Sequence, residues 1–109
     1  MTKLASRHCA PRKGPALRRG AVAKLLKQLP RWTTDAPSKE IRRTLAFKDY
    51  YGTMAFVNAV AWIAHREDHH PDMTVGYNRV TVVFSTHSVS GLSENDFICA
   101  ARIDALGVS

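Results

Sequence analysis

The stretch "DYYGTMAFVNAVAWIAHREDHHPD", residues 49–72, decides the fold. Asp49 has the form of an N-cap, with a short carboxylate able to accept an orphan N–H of the first helical turn. Met54, Val57, Ala61 and Ala64 then lie along one side at helical spacing, and Phe56, Val60 and Ile63 widen that apolar side. The residue before Pro71 is pushed out of helical geometry, so the helix predicted from Tyr50 stops near His69.

On the N-terminal side of this helix, Ile41, Arg43, Leu45 and Phe47 alternate with Arg42, Thr44, Ala46 and Lys48. A period of two marks a strand, and it sets the two arginines on opposite faces. On the C-terminal side, 73–77 and 80–86 read as two strands joined at Asn78-Arg79, with Val80, Val82 and Phe84 sharing a face. "SVSGL" (88–92) is a loop. Ser93-Glu94-Asn95-Asp96 has the form of a capping box, opening a last helix that runs to about Leu106, where Gly107 is a natural stop. Further upstream, Val22, Leu25, Leu26 and Leu29 make one helical stripe ended by Pro30. Trp32 anchors a short strand or turn, and "TTDAPSKE" (33–40) is a loop by its turn residues. The order is helix, strand, strand, helix, strand, strand, helix. Adjacent strands of this kind give an α+β fold, an antiparallel sheet with helices on one face and the other face or an edge left for a partner subunit.

At 109 residues the chain reads as one domain with a modest core, and 45% hydrophobic against 23% charged residues is ordinary for a soluble globular protein. No run of 18 apolar residues occurs, so no membrane-spanning helix is expected. The net charge of +7 is unevenly spread: residues 1–30 carry Lys3, Arg7, Arg12, Lys13, Arg18, Arg19, Lys24 and Lys27 with no acid, and the remainder is close to neutral. The basicity belongs to an arm, which argues against a nucleic-acid interface on the folded part. Residues 1–16, broken by Pro11, Gly14 and Pro15, read as a basic irregular arm solvated by water, and 17–109 as the single domain. Cys9 and Cys99 stand too far apart to suggest a disulfide framework. With no secretory signal peptide in view, free thiols in a reducing cytoplasm are the default.

The histidines are the conspicuous chemistry. Three of five fall within "HREDHH", residues 65–70, and His87 follows. His65 and His69 have the four-residue spacing of a helical two-histidine metal site, with His87 a possible third ligand. That pattern lacks the glutamate next to the first histidine found in zinc proteases. The alternatives are a proton-transfer site, since imidazole gives and takes protons near neutral pH, or a polar helix end.

A wider pattern tips the balance. His69-His70-Pro71, Tyr77, His87 and Asp96 stand among "FKDY" (47–50), "MAFVNAVAWIA" (54–64), "GYNRV" (76–80), "STHSVSGLSENDF" (85–97) and "AARID" (100–104). Over about residues 22–106 the chain resembles the pterin-4a-carbinolamine dehydratases. "HCAPRKGPAL" (8–17) also resembles the start of many bacterial members, where a Cys-x-x-Cys pair often stands; here the second position is Arg12. This favours a bacterial cytoplasmic protein over an organellar transit peptide.

The resemblance implies a four-stranded antiparallel sheet with helices on one face, assembled as homodimers or homotetramers. It implies dehydration of 4a-hydroxytetrahydropterin to quinonoid dihydropterin, which recycles the reductant of aromatic amino-acid hydroxylases, with no metal or organic cofactor. His69 and His87 are the implied acid–base pair, and His70 positions the ring and helps to move its proton. Asp68, His69, His70, Pro71, Ser85, Thr86, His87 and Ser88 are the implied pterin-binding set. Asp96, besides its capping place, is implied to support the histidine site, with His87 as the neighbour it holds. His65 stands where the family commonly has glutamate, as an extra titrating group beside the site. Animal members also bind a transcription factor, so a non-catalytic regulatory partner of a transcription factor or hydroxylase is the alternative function.

Overall fold

A computed structural model describes residues 3–108; Met1 and Thr2 of the expected arm and Ser109 of the expected domain lie outside the described residues. The elements are α1 (Arg19–Leu26), β1 (Thr33–Thr34), β2 (Ile41–Ala46), α2 (Tyr50–Glu67), β3 (Asp72–Val75), β4 (Arg79–Phe84) and α3 (Glu94–Asp104), with single 3-10 turns at Leu4–Ser6 and His87–Val89. The expected order and the α+β class are both found.

Alternation along β2 does the first work. Ile41, Arg43 and Leu45 are buried while Arg42, Thr44 and Ala46 face out. β4 buries Val80, Val82 and Phe84 in the same way. The antiparallel register sets Ile41 opposite Phe84, Arg43 opposite Val82 and Leu45 opposite Val80, so the two inward sets meet on one face. All pairings in the sheet are antiparallel, in the order β1-β2-β4-β3. On the open face the Thr44 and Thr81 hydroxyls join at 2.9 Å.

α2 starts as expected, with Asp49 Oδ1 accepting the Gly52 N–H at 2.9 Å. Its buried line is Thr53, Phe56, Val60 and Ala64, whereas Met54 is half-buried and Ala61 exposed. The apolar side is broad, and the sheet and α3 take its Phe56–Val60 half, which spacing alone did not single out. α3 is buried nearly all round, from Phe97 through Ala101 and at Ile103, because the helix layer covers one side and the N-terminal arm the other.

The arm departs from expectation. Lys3 and Lys13 are exposed, but Arg7 pairs with Glu94, Arg12 is half-buried, and the backbone is fastened. Leu4 sits in the core. The Cys9 N–H donates to Glu67 Oε1 at 2.7 Å. The Ala10 N–H and the Arg12 Nε–H both donate to Asn95 Oδ1, and Asn95 Nδ2 donates back to the Ala10 carbonyl. The Leu17 N–H donates to the Leu92 carbonyl at 2.8 Å. A Cβ on Gly91 would come within 2.8 Å of the Ala16 Cβ, so glycine is what lets the arm pass there. The partners that fasten the arm are more than 50 residues away in sequence, and composition carries no trace of them. The two cysteines also meet, as free thiols with their sulfurs 3.5 Å apart.

At the other end of the sheet, buried Arg43 donates to Asp104 Oδ1 at 2.5 Å and to the Val108 carbonyl at 3.2 Å, and Trp32 Nε1 donates to the same carboxylate. No helix among the described residues is long and apolar enough to cross a membrane.

Candidate functional site

The site grows out of the way α2 ends. Asp68 takes a left-handed conformation, with φ 51°, and its N–H caps the Ala64 carbonyl. A short polar side chain tolerates that region better than most. Pro71 then bars any return to helix. Asp68, His69 and His70 therefore turn off the helix axis towards the loop that leaves β4. That loop carries Ser85, Thr86, His87 and Ser88, and it is tied at its base by Thr86 N–H to the Gly91 carbonyl at 2.7 Å.

Between the two segments lies an open cleft of about 270 Å³, lined by Asp68, His69, His70, Ser85, Thr86, His87, Ser88 and Asn95. Seven of the eight residues expected to bind substrate line it, and Pro71 does not. A second hollow of about 200 Å³ adjoins it on the far side of Ser85, Thr86 and His87. A larger hollow of about 330 Å³ opens beside Arg43 and Asp104, but these charges already pair with each other and no histidine lines it. The histidine cleft is the better candidate on chemistry, because three imidazoles line it.

Inside the cleft the three histidines differ. His70 and His87 are exposed. The side chain of His69 is only 11% exposed, its ring stacked on Phe84 at 5.8 Å and 9° between planes. Its Nε2 lies 2.6 Å from Oδ1 of Asp96, whose side chain is wholly buried. The other oxygen, Oδ2, accepts the Thr86 hydroxyl at 2.8 Å and the Ser93 N–H at 3.0 Å. The Ser93 hydroxyl can in turn donate to Thr86 Oγ1 at 2.7 Å. With Asp96 as a carboxylate, Oδ1 accepts from Nε2 of His69, and Nδ1 is the nitrogen left for exchange. Such a chain of donors holds imidazole orientation and tautomer, and its negative end stabilises the imidazolium that forms when the ring takes a proton.

Asp96 thus does both things expected of it, capping α3 and supporting a histidine, but the histidine is His69 and not His87. One oxygen serves the cap and the other serves the ring. His65 is not brought into the cleft. It is exposed on α2, with its ring 5.7 Å from Trp62. The helix ends at Glu67, so His65 and His69 never share a helical face, and the two-histidine spacing loses its meaning. Among the described residues no three His, Cys, Asp or Glu side chains gather in a way that could hold a metal ion. Thr86 lines the cleft as expected, yet its hydroxyl turns towards Asp96. Asn95 lines the cleft unforeseen. In sequence it is one of the two middle letters of the capping box, and nothing there marks it.

The family model for pterin 4 alpha carbinolamine dehydratase matches residues 15–106. A Stenotrophomonas maltophilia protein provisionally named pterin-4-alpha-carbinolamine dehydratase is 59% identical over 94% of this chain and 90% of its own. A Nitrosospira multiformis protein of the same name is 56% identical over 94% and 91%. Among solved structures, a transcriptional coactivator/pterin dehydratase from Brucella melitensis superposes with TM-score 0.79 at 32% identity, covering 84% of this chain and 97% of that one. A pterin dehydratase-like RuBisCO assembly factor of the alpha-carboxysome gives 0.61 at 28%, over 72% and 92%. A match across most of the chain, close relatives over nearly their whole lengths and a common fold point one way: the chain belongs to the pterin 4 alpha carbinolamine dehydratase family.

Proposed function

We propose that this chain dehydrates a 4a-hydroxytetrahydropterin to quinonoid dihydropterin, with the cleft of His69, His70 and His87 as its site. The observation that carries the proposal is the convergence of these imidazoles on one small cleft, with a buried carboxylate fixed behind His69.

The chemistry asks for two proton movements. The 4a-hydroxyl is a poor leaving group until it is protonated and departs as water. The N5–H proton must be lost as the C4a=N5 bond forms. One proton is given and one is taken, so none is consumed overall. His69, oriented by Asp96, and His87, across the cleft, are the pair we assign to these steps, and His70 positions the ring. The backbone of residues 85–88 and the hydroxyls of Ser85 and Ser88, with Asp68 and Asn95, complete the lining. Both protons pass through imidazoles, and no step is assigned to a metal or an organic cofactor. General acid–base help of this kind is typically worth ~10²–10⁴-fold.

An aromatic amino-acid hydroxylase is the source of substrate in this proposal, a cytoplasmic location goes with it, and so does a homodimer or homotetramer, for which β3 offers a free sheet edge. The test is to generate the carbinolamine in situ and follow its decay by absorbance. Saturable acceleration by the protein supports dehydration; decay at the uncatalysed rate contradicts it.

A second reading, a regulatory or assembly partner, draws on the names of the two solved neighbours, a coactivator and an assembly factor. It predicts that a chain with both His69 and His87 replaced by alanine still performs its role in the cell. Loss of that role in the double variant rejects it.

A further inference from the structure

The contact between Cys9 and Cys99 lies outside the proposed site and is unused by it. Cys9 is half-buried on the arm, and Cys99 is buried in the second turn of α3. Their sulfurs are 3.5 Å apart. The approach is built from several sides. The Cys9 backbone is held by Glu67, whose side chain is only 5% exposed and also faces His8 and Arg102. The next residue, Ala10, is held at both its N–H and its carbonyl by Asn95. The Cys9 thiol itself points at the Asn95 carbonyl, 3.6 Å away. Backbone anchors on each side of Cys9 therefore fix its sulfur over that of Cys99.

We propose that Cys9 and Cys99 are a redox modification site, a thiol pair that closes to one intramolecular disulfide and fastens the arm across the ends of α2 and α3. The oxidant is a low-molecular-weight disulfide. The Cys9 thiolate attacks one sulfur of that disulfide, forms a mixed disulfide and releases one small thiolate. Cys99 then gives up its proton and attacks the Cys9 sulfur, releasing the second small thiol. Two protein thiols are oxidised by two electrons, and the small disulfide is reduced to two thiols. Access fixes the order: Cys9 is the thiol an oxidant can reach, whereas Cys99 is buried. The hydrogen bond with Cys9, together with burial, pushes the Cys99 thiol up and keeps it protonated until its partner is activated.

The bond would span 90 residues of sequence. Closing so long a loop removes much freedom from the unfolded chain. Asn95 and Asp96, one turn before Cys99, would then sit on a helix tied to the arm by a covalent bond as well as by hydrogen bonds. The site does not depend on the dehydratase assignment, because its readout is the modification itself.

The test treats the full-length folded protein with oxidised glutathione, then maps the products by mass spectrometry and non-reducing electrophoresis. The expected product is a monomer about 2 Da lighter, with no retained glutathione. Its digest contains a single linked peptide pair carrying Cys9 and Cys99, dithiothreitol reverses the change, and Tm rises by roughly 10 °C. Cys9→Ala, at the half-exposed position where folding is least at risk, should abolish the 2 Da loss and the rise in Tm together. Persistent glutathione on Cys9 with Cys99 still open to alkylation after unfolding, a disulfide-linked dimer, or an unchanged Tm in the linked monomer would each overturn the proposal.

Discussion

His69 Nε2 lies 2.6 Å from Asp96 Oδ1, joining two residues 27 apart in sequence, one at the exit of a helix and one at the entrance of another. Replacing Asp96 with asparagine keeps the size and removes the charge. Dehydration should fall by about 10²-fold or more, since the imidazole loses the group that fixes its tautomer and stabilises its cation. Asp96→Ala should in addition destabilise the fold by roughly 1–3 kcal/mol, because Thr86 and Ser93 lose a buried acceptor. Steady-state rates beside chemical denaturation separate the two effects.

Thr86 acts through Asp96. Thr86→Val preserves shape but withdraws one of the two donors on Oδ2 and leaves the Ser93 hydroxyl proton without its acceptor. Stability should drop by about 1–3 kcal/mol, and the rate should fall by less than for Asp96→Asn. Thr86→Ser should restore most of both.

Acid should loosen the arm at Glu67. Burial raises its carboxyl, but the Cys9 N–H, the hydrogen bond and charge of His8 and the charge of Arg102 outweigh that and hold it below its ordinary value of 4.5. A carboxyl lowered in the folded chain favours folding above its unfolded pKa, and that support is lost as pH falls through the folded value. Glu67→Gln should therefore be less stable than wild type at pH 6, with the difference shrinking below pH ~4. Tm against pH for the two proteins reads this. Parallel curves would show that Glu67 is not the anchor.

Asp104 offers a control remote from the cleft. Asp104→Ala leaves the buried Arg43 guanidinium with the Val108 carbonyl alone and orphans the Trp32 N–H. Leaving the buried Arg43 and the Trp32 N–H short of an acceptor should cost about 1–3 kcal/mol. The rate per folded molecule should stay unchanged, and a large loss of rate would mean that the larger hollow takes part in the reaction.

Where the sequence could be read, the reason is local. Alternation in residues 41–47 and 80–84 set the two central strands, and Asp49, Pro71 and Ser93 set helix ends through chemistry confined to a few residues. The cleft lining, residues 68–70 and 85–88, was implied by the family resemblance that the spaced motifs carry, and each segment follows the end of a regular element. What escaped depended on long-range company. The Asp96 carboxylate could have faced His87, which is closer to it in sequence, but the αL turn at Asp68 delivers His69 instead. His65, still on α2, stays outside the cleft. The arm's docking through Glu67 and Asn95, and the meeting of Cys9 with Cys99, join residues that no window of sequence contains together.

The central claim is that His69 and His87 carry the protons of dehydration within one cleft. The direct measurement is the decay rate of 4a-hydroxytetrahydropterin with wild type, His69→Ala and His87→Ala at equal folded concentration, each checked for native stability. The account predicts that both variants stay folded and lose ~10²–10⁴-fold in kcat. If both dehydrate as fast as wild type, the assignment of this cleft is wrong.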